Sequence, residues 1–507
     1  MRATVDSLVR RWAPLVWLAP GERFFPGGVE QFLENVSPIP YKQASKLREL
    51  LKGDLRENGT MDKNESESCD QSCKLHLEAD IQSAREPQSL PLGAKSKEWF
   101  LLAKQEMGAL LKNSSSFIHG YNPLLYSVPV YALVTHCPPH KKVKSPNSVP
   151  APQTSQHSHL QSYWSTFKKQ VNGFSVENTE KYNRKNQEVE RANDEHKEEQ
   201  GTSLNGPDFM VTYWLFFPFS EGKDVCVVET GPRLLGPWPL PLLGGHCLGK
   251  RRRYGSHLGD WEHLSIRFVN GHPHSLYIST HKLGAYYKYL NHWNGLFALY
   301  RHELREGGHV EGWLQRPRFP PVVHLTKPQQ ATPEALRPTL FAARGSHGLW
   351  AAPGRHQYVR YPRLEDWTGH GIPWATWTNL QILHHMKGPP SDCLSQKNGY
   401  PKSKGRNPSS QERQKNHGTR YMEHAEVDRT TIRNENIVVG EGNMNDCSPG
   451  RSDWPMWMAY EGHWGEPRMG CHEALSKLGV GGWSCQYSDG PRGIPVKRSH
   501  FSCNYPL

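Results

Sequence analysis

Apolar and polar positions alternate in short runs along this chain, and the runs read as β-strands. Glu262–Val269 is the clearest. Leu264, Ile266 and Phe268 share one face, and Ser265 and Arg267 share the other, as the two-residue period of a strand requires. Val128–Thr135 and Val211–Phe217 are rich in branched and aromatic residues, and Ser275–Thr280 and Leu340–Ala343 are shorter candidates. Gly and Pro punctuate all of them. One helix is expected over Ser96–Leu111, on apolar positions Trp99, Phe100, Leu101, Ala103 and Met107. The pattern predicts a mainly β protein with a β-sandwich-like core and a few helices.

Three stretches interrupt the pattern. Residues 43–94, 138–206 and 388–453 are charged or rich in Ser, Asn, Glu and Lys. Such composition buries too little apolar surface to offset the entropy of ordering, so these stretches are expected to be disordered insertions. The core would then be discontinuous, built from residues 1–42, 95–137, 207–387 and 454–507, with the 207–387 segment as its main part. Length alone, 507 residues, permits several domains. Setting the polar tracts aside leaves about 320 residues, suited to one interrupted core.

Charge changes the picture little. Lys and Arg number 61 against 49 Asp and Glu, a net +12, but the basic residues are scattered and predict no specific nucleic-acid partner. The compact run is Lys250-Arg251-Arg252-Arg253, read as a solvated loop, as a contact for phosphate or headgroups, or as a nuclear-import patch. The longest apolar run, Val211–Phe219, falls well short of the ~20 residues of a spanning helix. No secretory signal is visible at Met1–Pro20, so a cytoplasmic chain is expected. On that expectation most of the ten cysteines are reduced, and the sequons at Asn35, Asn58, Asn64 and Asn113 go unused. Cys471, Cys485 and Cys503 read as structural thiols, with a zinc site as the alternative.

The most informative segment is Gly255-Ser-His-Leu-Gly-Asp-Trp-Glu-His263. On a strand Asp260 and Glu262 project to one face about 7 Å apart, at the end of the face that carries Leu264. Two carboxylates beside a core repel each other and are costly to desolvate, which a divalent cation or a basic partner would relieve. His257 can turn toward the same point. This N/O donor set suits Mg²⁺, Mn²⁺, Ca²⁺ or Zn²⁺. The alternative is salt bridging to Arg251–Arg253 or Arg267. Trp261 points to the opposite face and is assigned to the core. His281 follows the Ser275–Thr280 run, and His347 lies in the Gly-rich loop Arg344–Gly354; both are candidate ligand-binding residues, with Arg251, Arg252 and Arg253. Gly244–Arg251 nearly matches a phosphate loop, but Arg251 stands where a hydroxyl is needed.

Trp12–Leu33, the VPVYALV run, Tyr213–Lys223, Gly255–Phe268, ARGSHGLWAAPG and Cys485–Pro495 occur in this order. Together they resemble the family of vacuolar protein sorting-associated protein 62, including its plant relatives of unknown function. That resemblance implies a link to vacuolar or lysosomal protein delivery, and trafficking proteins as partners. A more distant likeness is to necrosis- and ethylene-inducing toxin-like β-sandwich proteins, whose H-x-x-D-W-E spacing holds a divalent metal and matches His257, Asp260 and Glu262. Their further Asp ligand follows the strand matching Tyr213–Pro218; this chain reads Phe219-Ser220-Glu221 there, so Glu221 takes that place.

Three functions follow. The first is a non-enzymatic, metal-organised binding protein, cytoplasmic or peripheral to the endolysosomal or vacuolar membrane, recognising an anionic lipid headgroup or a glycan. The second is a metal-dependent hydrolase with His347 or His281 as general acid or base. The third is a structural protein with the carboxylates locked in salt bridges and no metal.

Overall fold

Twelve consecutive buried positions, Phe209–Ser220, form the strand around which the molecule is built. The computed structural model describes residues 2–43, 90–138, 206–228, 238–239, 246–290, 295–305, 314–315, 317–326, 337–360, 363–384, 454–471, 484–497 and 503. With strands numbered in chain order, the main sheet contains β4 (Val130–His136), β5 (Phe209–Ser220), β9 (His257–Val269), β10 (His272–Thr280), β11 (Leu283–Leu290), β12 (Leu296–Leu304), β13 (Val322–Val323) and β20 (Leu380–His384). Its spatial order is β13-β12-β11-β10-β9-β5-β4-β20. Neighbours are antiparallel except the parallel pair β4–β20.

A second sheet holds β1 (Leu15–Leu18), β14 (Leu325–Thr326), β15 (Arg337–Ala342), β16 (Leu349–Trp350) and β19 (Ile372–Ala375). Here β1 runs parallel to β15, so the N-terminal segment completes a sheet begun more than three hundred residues later. The two sheets enclose the first core. Val16 and Leu340 meet Val211, Tyr213 and Leu215 of β5 and Leu264, Ile266 and Phe268 of β9, with helix α1 (Arg2–Trp12) supplying Val5, Val9 and Trp12.

The other face of the main sheet is covered too. Helix α2 (Val29–Glu34), the ribbon of β2 (Val36–Pro40) and β3 (Trp99–Ala103), and the C-terminal turn at Met456–Ala459 bury Trp214, Phe216 and Trp261 in a second core. Trp261 crosses Trp214 edge to face and lies among Trp457 and Trp464. Double burial explains why β5 reads as an unbroken apolar run, as a strand covered on both sides must. The mainly β reading holds. The sandwich accounts for the first core, and the second core adds a further layer.

Several expectations are corrected. The helix over Ser96–Leu111 is strand β3 followed by a short helix α3 (Met107–Lys112). Trp99–Ala103 pairs residue for residue with Pro40–Val36, a contact across some sixty residues that outweighs local apolar spacing. Lys250–Tyr254 is not a loop. It is β8, in a small sheet with β6 (Lys223–Val228) and β7 (Trp238–Pro239). The remaining ribbons are β17 (Gly354–Val359) with β18 (Leu364–Thr368), and β21 (Met469–Cys471) with β22 (Cys485–Tyr487).

Among the described residues the cysteines are neither thiols nor a zinc group. Cys137–Cys503, Cys226–Cys247 and Cys471–Cys485 are disulfides. Cys69 and Cys73 lie outside the described residues, as do nearly all of the three polar tracts and the Gly-rich end of the phosphate-loop look-alike. Among the described residues no helix is long and apolar enough to cross a membrane.

Candidate functional site

The site is organised by an irregularity at the start of β9. The register runs from Phe217 opposite Asp260 to Phe219 opposite Leu258, and the pair between them is Pro218 and Gly259. Pro218 has no N–H to give the ladder. Gly259 adopts φ +65°, and a Cβ there would meet the Trp464 carbonyl oxygen at 2.1 Å. Strict alternation would put Leu258 and Trp261 on opposite faces, yet both lie in the second core. The turn at Gly259 therefore resets the pleat and brings His257 to the side of Asp260 and Glu262. All three line one cavity of about 530 Å³.

Each floor residue has a distinct environment. The Nδ1 of His257 lies 2.7 Å from the Gly259 carbonyl, an acceptor, so that nitrogen carries the hydrogen and Nε2 keeps its lone pair. Burial lowers the ring's affinity for a proton, against the pull of Asp260. Asp260 feels burial pushing its pKa up, but the hydrogen bond from His347 and the charges of His257, His347 and Lys497 bring it below the ordinary value. Glu262 goes the other way: burial first, then the Asp260 charge, raise its pKa well above the usual range. Its Oε2 is buried with no hydrogen-bond partner among the described residues. Lys497 donates to the Trp261 carbonyl at 3.1 Å, and its charge reaches all three floor residues.

His347 sits in the tight turn after β15 and is fully buried, its ring flat against Phe217 at 3.9 Å. Its Nδ1 is 3.3 Å from Asp260 Oδ2, and its Nε2 is 2.9 Å from the Phe24 carbonyl. Both neighbours are acceptors. A ring with hydrogen on one nitrogen fills one of them; a ring with hydrogen on both fills both.

A second histidine–carboxylate pair includes His281, which also lines the cavity. His281 Nε2 is 2.7 Å from Asp366 Oδ2, and its ring stacks on Tyr358 at 4.2 Å. Asp366, fully buried on β18, also takes Trp350 Nε1 at 2.9 Å, Ser346 Oγ at 2.8 Å and the Lys223 ammonium at 2.8 Å. Burial alone would raise its pKa. The charges of His281 and Lys223, with their hydrogen bonds, hold it far below the carboxylate range. Ser346 and His347 are neighbours, so one turn links the two pairs. Non-glycine residues with positive φ among the described residues are Asn270, His281 and His347. Such backbone costs about 1–3 kcal/mol and is kept where surroundings over-determine it.

The other predicted residues are dispersed. Glu221 lies at the cavity edge and is held by Arg23 at 2.5 Å and by Arg253. Arg253 also reaches Asp224 at 3.1 Å. Arg251 is exposed on β8 and Arg252 half-buried, so the alternation of the strand splits the basic run between two faces. Among the described residues no three His, Cys, Asp or Glu side chains form a cluster able to hold a metal as they stand. Sequence reasoning missed Asp366, although its signal was the one that marked Asp260. Leu364, Asp366 and Thr368 alternate onto one buried face, and a carboxylate in an apolar register demands partners. It also missed Lys223, Arg305 and Lys497, which carry no local signal.

No family model and no solved structure matches the chain. Two yeast proteins (Saccharomyces cerevisiae) do match. The putative vacuolar protein sorting-associated protein TDA6 is 26% identical over 203 residues, covering 36% of this chain and 34% of that protein. Vacuolar protein sorting-associated protein 62 is 28% identical over 174 residues, covering 33% of this chain and 27% of that protein. The chain thus spans about a third of the length of the curated relatives it matches.

Proposed function

We propose that this chain, similar to vacuolar protein sorting-associated protein 62, is a binding protein connected with vacuolar or lysosomal protein delivery. In this reading its cavity recognises an anionic headgroup or a glycan around a divalent cation. The names of the two relatives support the trafficking link. The observation that carries the binding reading is the unfilled Oε2 of Glu262, buried beside Asp260 on the cavity floor. A buried acceptor without a donor is costly, and a cation or a ligand hydroxyl relieves it. The donor set fits a cation in kind. His257 has Nε2 open because Nδ1 is committed to Gly259, the backbone arrangement that commonly orients a ligating imidazole. His257, Asp260 and Glu262 would hold the ion, which would supply a positive centre for ligand oxygens. Arg305 on the cavity wall favours an anionic ligand.

The test is metal analysis of the purified chain, thermal unfolding with Mg²⁺, Mn²⁺, Ca²⁺ or Zn²⁺, and flotation with anionic liposomes. Stabilisation by one of these ions is expected, and its loss in Asp260→Asn. An unchanged unfolding temperature with every ion, together with liposome and glycan binding that survives Asp260→Asn, rejects the reading.

A second reading is a metal-dependent hydrolase. It is favoured by the opposite displacement of the two floor carboxylates, Asp260 downward and Glu262 upward, as in acid–base pairs. A panel of phosphoesterase and glycosidase substrates with added metal separates the two. Turnover abolished by Glu262→Gln favours hydrolysis, and no turnover removes it.

A further inference from the structure

We infer that this chain matures in an oxidising compartment and there carries an N-linked glycan on Asn113. The first observation is the cysteines. All six among the described residues, Cys137, Cys226, Cys247, Cys471, Cys485 and Cys503, are in disulfides. The three bridges are structurally independent. Cys471 and Cys485 are direct cross-strand partners of β21 and β22. Cys226 ties β6 to the segment leading into β8. Cys137 joins the end of β4 to Cys503, across a separation of 366 residues. Proteins kept in a reducing compartment rarely hold such bonds, and a set of three belongs to secreted or lumenal chains. Each bond forms as two thiols lose two protons and two electrons to a disulfide-donating oxidoreductase of that compartment.

The second observation concerns the sequons, because chains passing through that compartment are modified at Asn-x-Ser/Thr. Asn113-Ser114-Ser115 follows α3 on an exposed turn. The Asn113 Oδ1 accepts the Ser115 backbone N–H at 3.0 Å, which fixes the amide plane. Its Nδ2 makes no hydrogen bond among the described residues. Asn35-Val36-Ser37 is the opposite case. There Nδ2 donates to the Gln31 carbonyl at 2.8 Å, and Ser37 is fully buried in β2. Asn58 and Asn64 lie outside the described residues. In the transfer, Asn113 Nδ2 loses one proton and bonds to the anomeric carbon of a glycan carried on a lipid diphosphate. The bond from that carbon to the diphosphate oxygen breaks, and the lipid diphosphate leaves with the electron pair.

The test uses the full chain produced in a eukaryotic cell, alkylated and digested without reductant. Amidase removal of N-glycans in heavy-oxygen water should convert Asn113 to labelled Asp. Unreduced digests should contain the three linked peptide pairs. Asn113→Gln and Ser115→Ala should lose the label completely at this site, and Ser114→Ala, which keeps the sequon, should retain it. All three positions are on the surface, so the variants keep the wild-type unfolding temperature. An unmodified Asn113 peptide, or alkylation of the six cysteines without reductant, overturns the inference. Neither result bears on ligand binding in the cavity.

Discussion

Glu262 lines the cavity, Asp366 holds two of its lining residues, and these two buried carboxylates are treated oppositely. Asp366 receives an ammonium, an imidazole, a hydroxyl and an indole N–H, and its pKa falls. Glu262 keeps an oxygen without a donor, and its pKa rises. The same group is structural in one place and an open demand in the other. The difference lies in what crosses to meet it. Three separate elements, two of them distant in sequence, converge on Asp366, whereas Glu262 faces the cavity beside a second negative charge. A complete partner set reads as scaffold, and an incomplete one marks where a ligand belongs.

The contrast can be broken at several strengths. Asp366→Ala should be the most damaging, because it leaves the Lys223 ammonium uncompensated beside a buried indole N–H. A loss of about 3–5 kcal/mol is expected, read by urea unfolding. Gly259→Ala should cost about 1–3 kcal/mol from positive φ alone, with the Trp464 carbonyl contact added. It should also disturb the His257 side of the floor more than the Asp366 side. Bound cation should add about 2.7 kcal/mol at a hundredfold excess over Kd, and Asp260→Asn should abolish that increment.

The pH dependence separates the two carboxylates by sign. Asp366 has a depressed folded pKa, so its contribution is present above the unfolded value of about 3.9 and is lost as pH falls below it. Asp366→Asn should therefore flatten the acid limb of a stability–pH curve. Glu262 has a raised folded pKa, so its contribution is complete below about 4.3 and is lost as pH rises through the folded value. Without metal, Glu262→Gln should match wild type at pH 4 and exceed it slightly at pH 7, by about 1 kcal/mol. With the correct cation the order at pH 7 should reverse. A variant less stable than wild type at pH 7 in chelator would show that Glu262 is already satisfied.

Much of this was legible one strand at a time. The alternation at Glu262–Val269 placed Asp260 and Glu262 on the face of Leu264 and Trp261 on the other, because a strand's period is a local property. The unbroken run at Val211–Phe217 likewise marked a strand. Residues 96–111 were not legible, since the pairing with Val36–Pro40 depends on a segment far away. The basic run at Lys250–Arg253 was misread for the same reason: only its ladder with β6 makes it a strand. Asp366 carried a usable signal in the alternation of Leu364–Thr368, and the partners that make it structural carried none.

The sequence by itself determined the mainly β character, the shared face of the two floor carboxylates and the prominence of His257, His281 and His347. Period and composition act within a few residues, and these features follow from them. Tertiary structure alone decided which carboxylate is satisfied, that Glu221 belongs to Arg23 and Arg253, and that six cysteines pair. Those outcomes depend on charges and thiols brought together across hundreds of residues, where no local pattern constrains which groups meet.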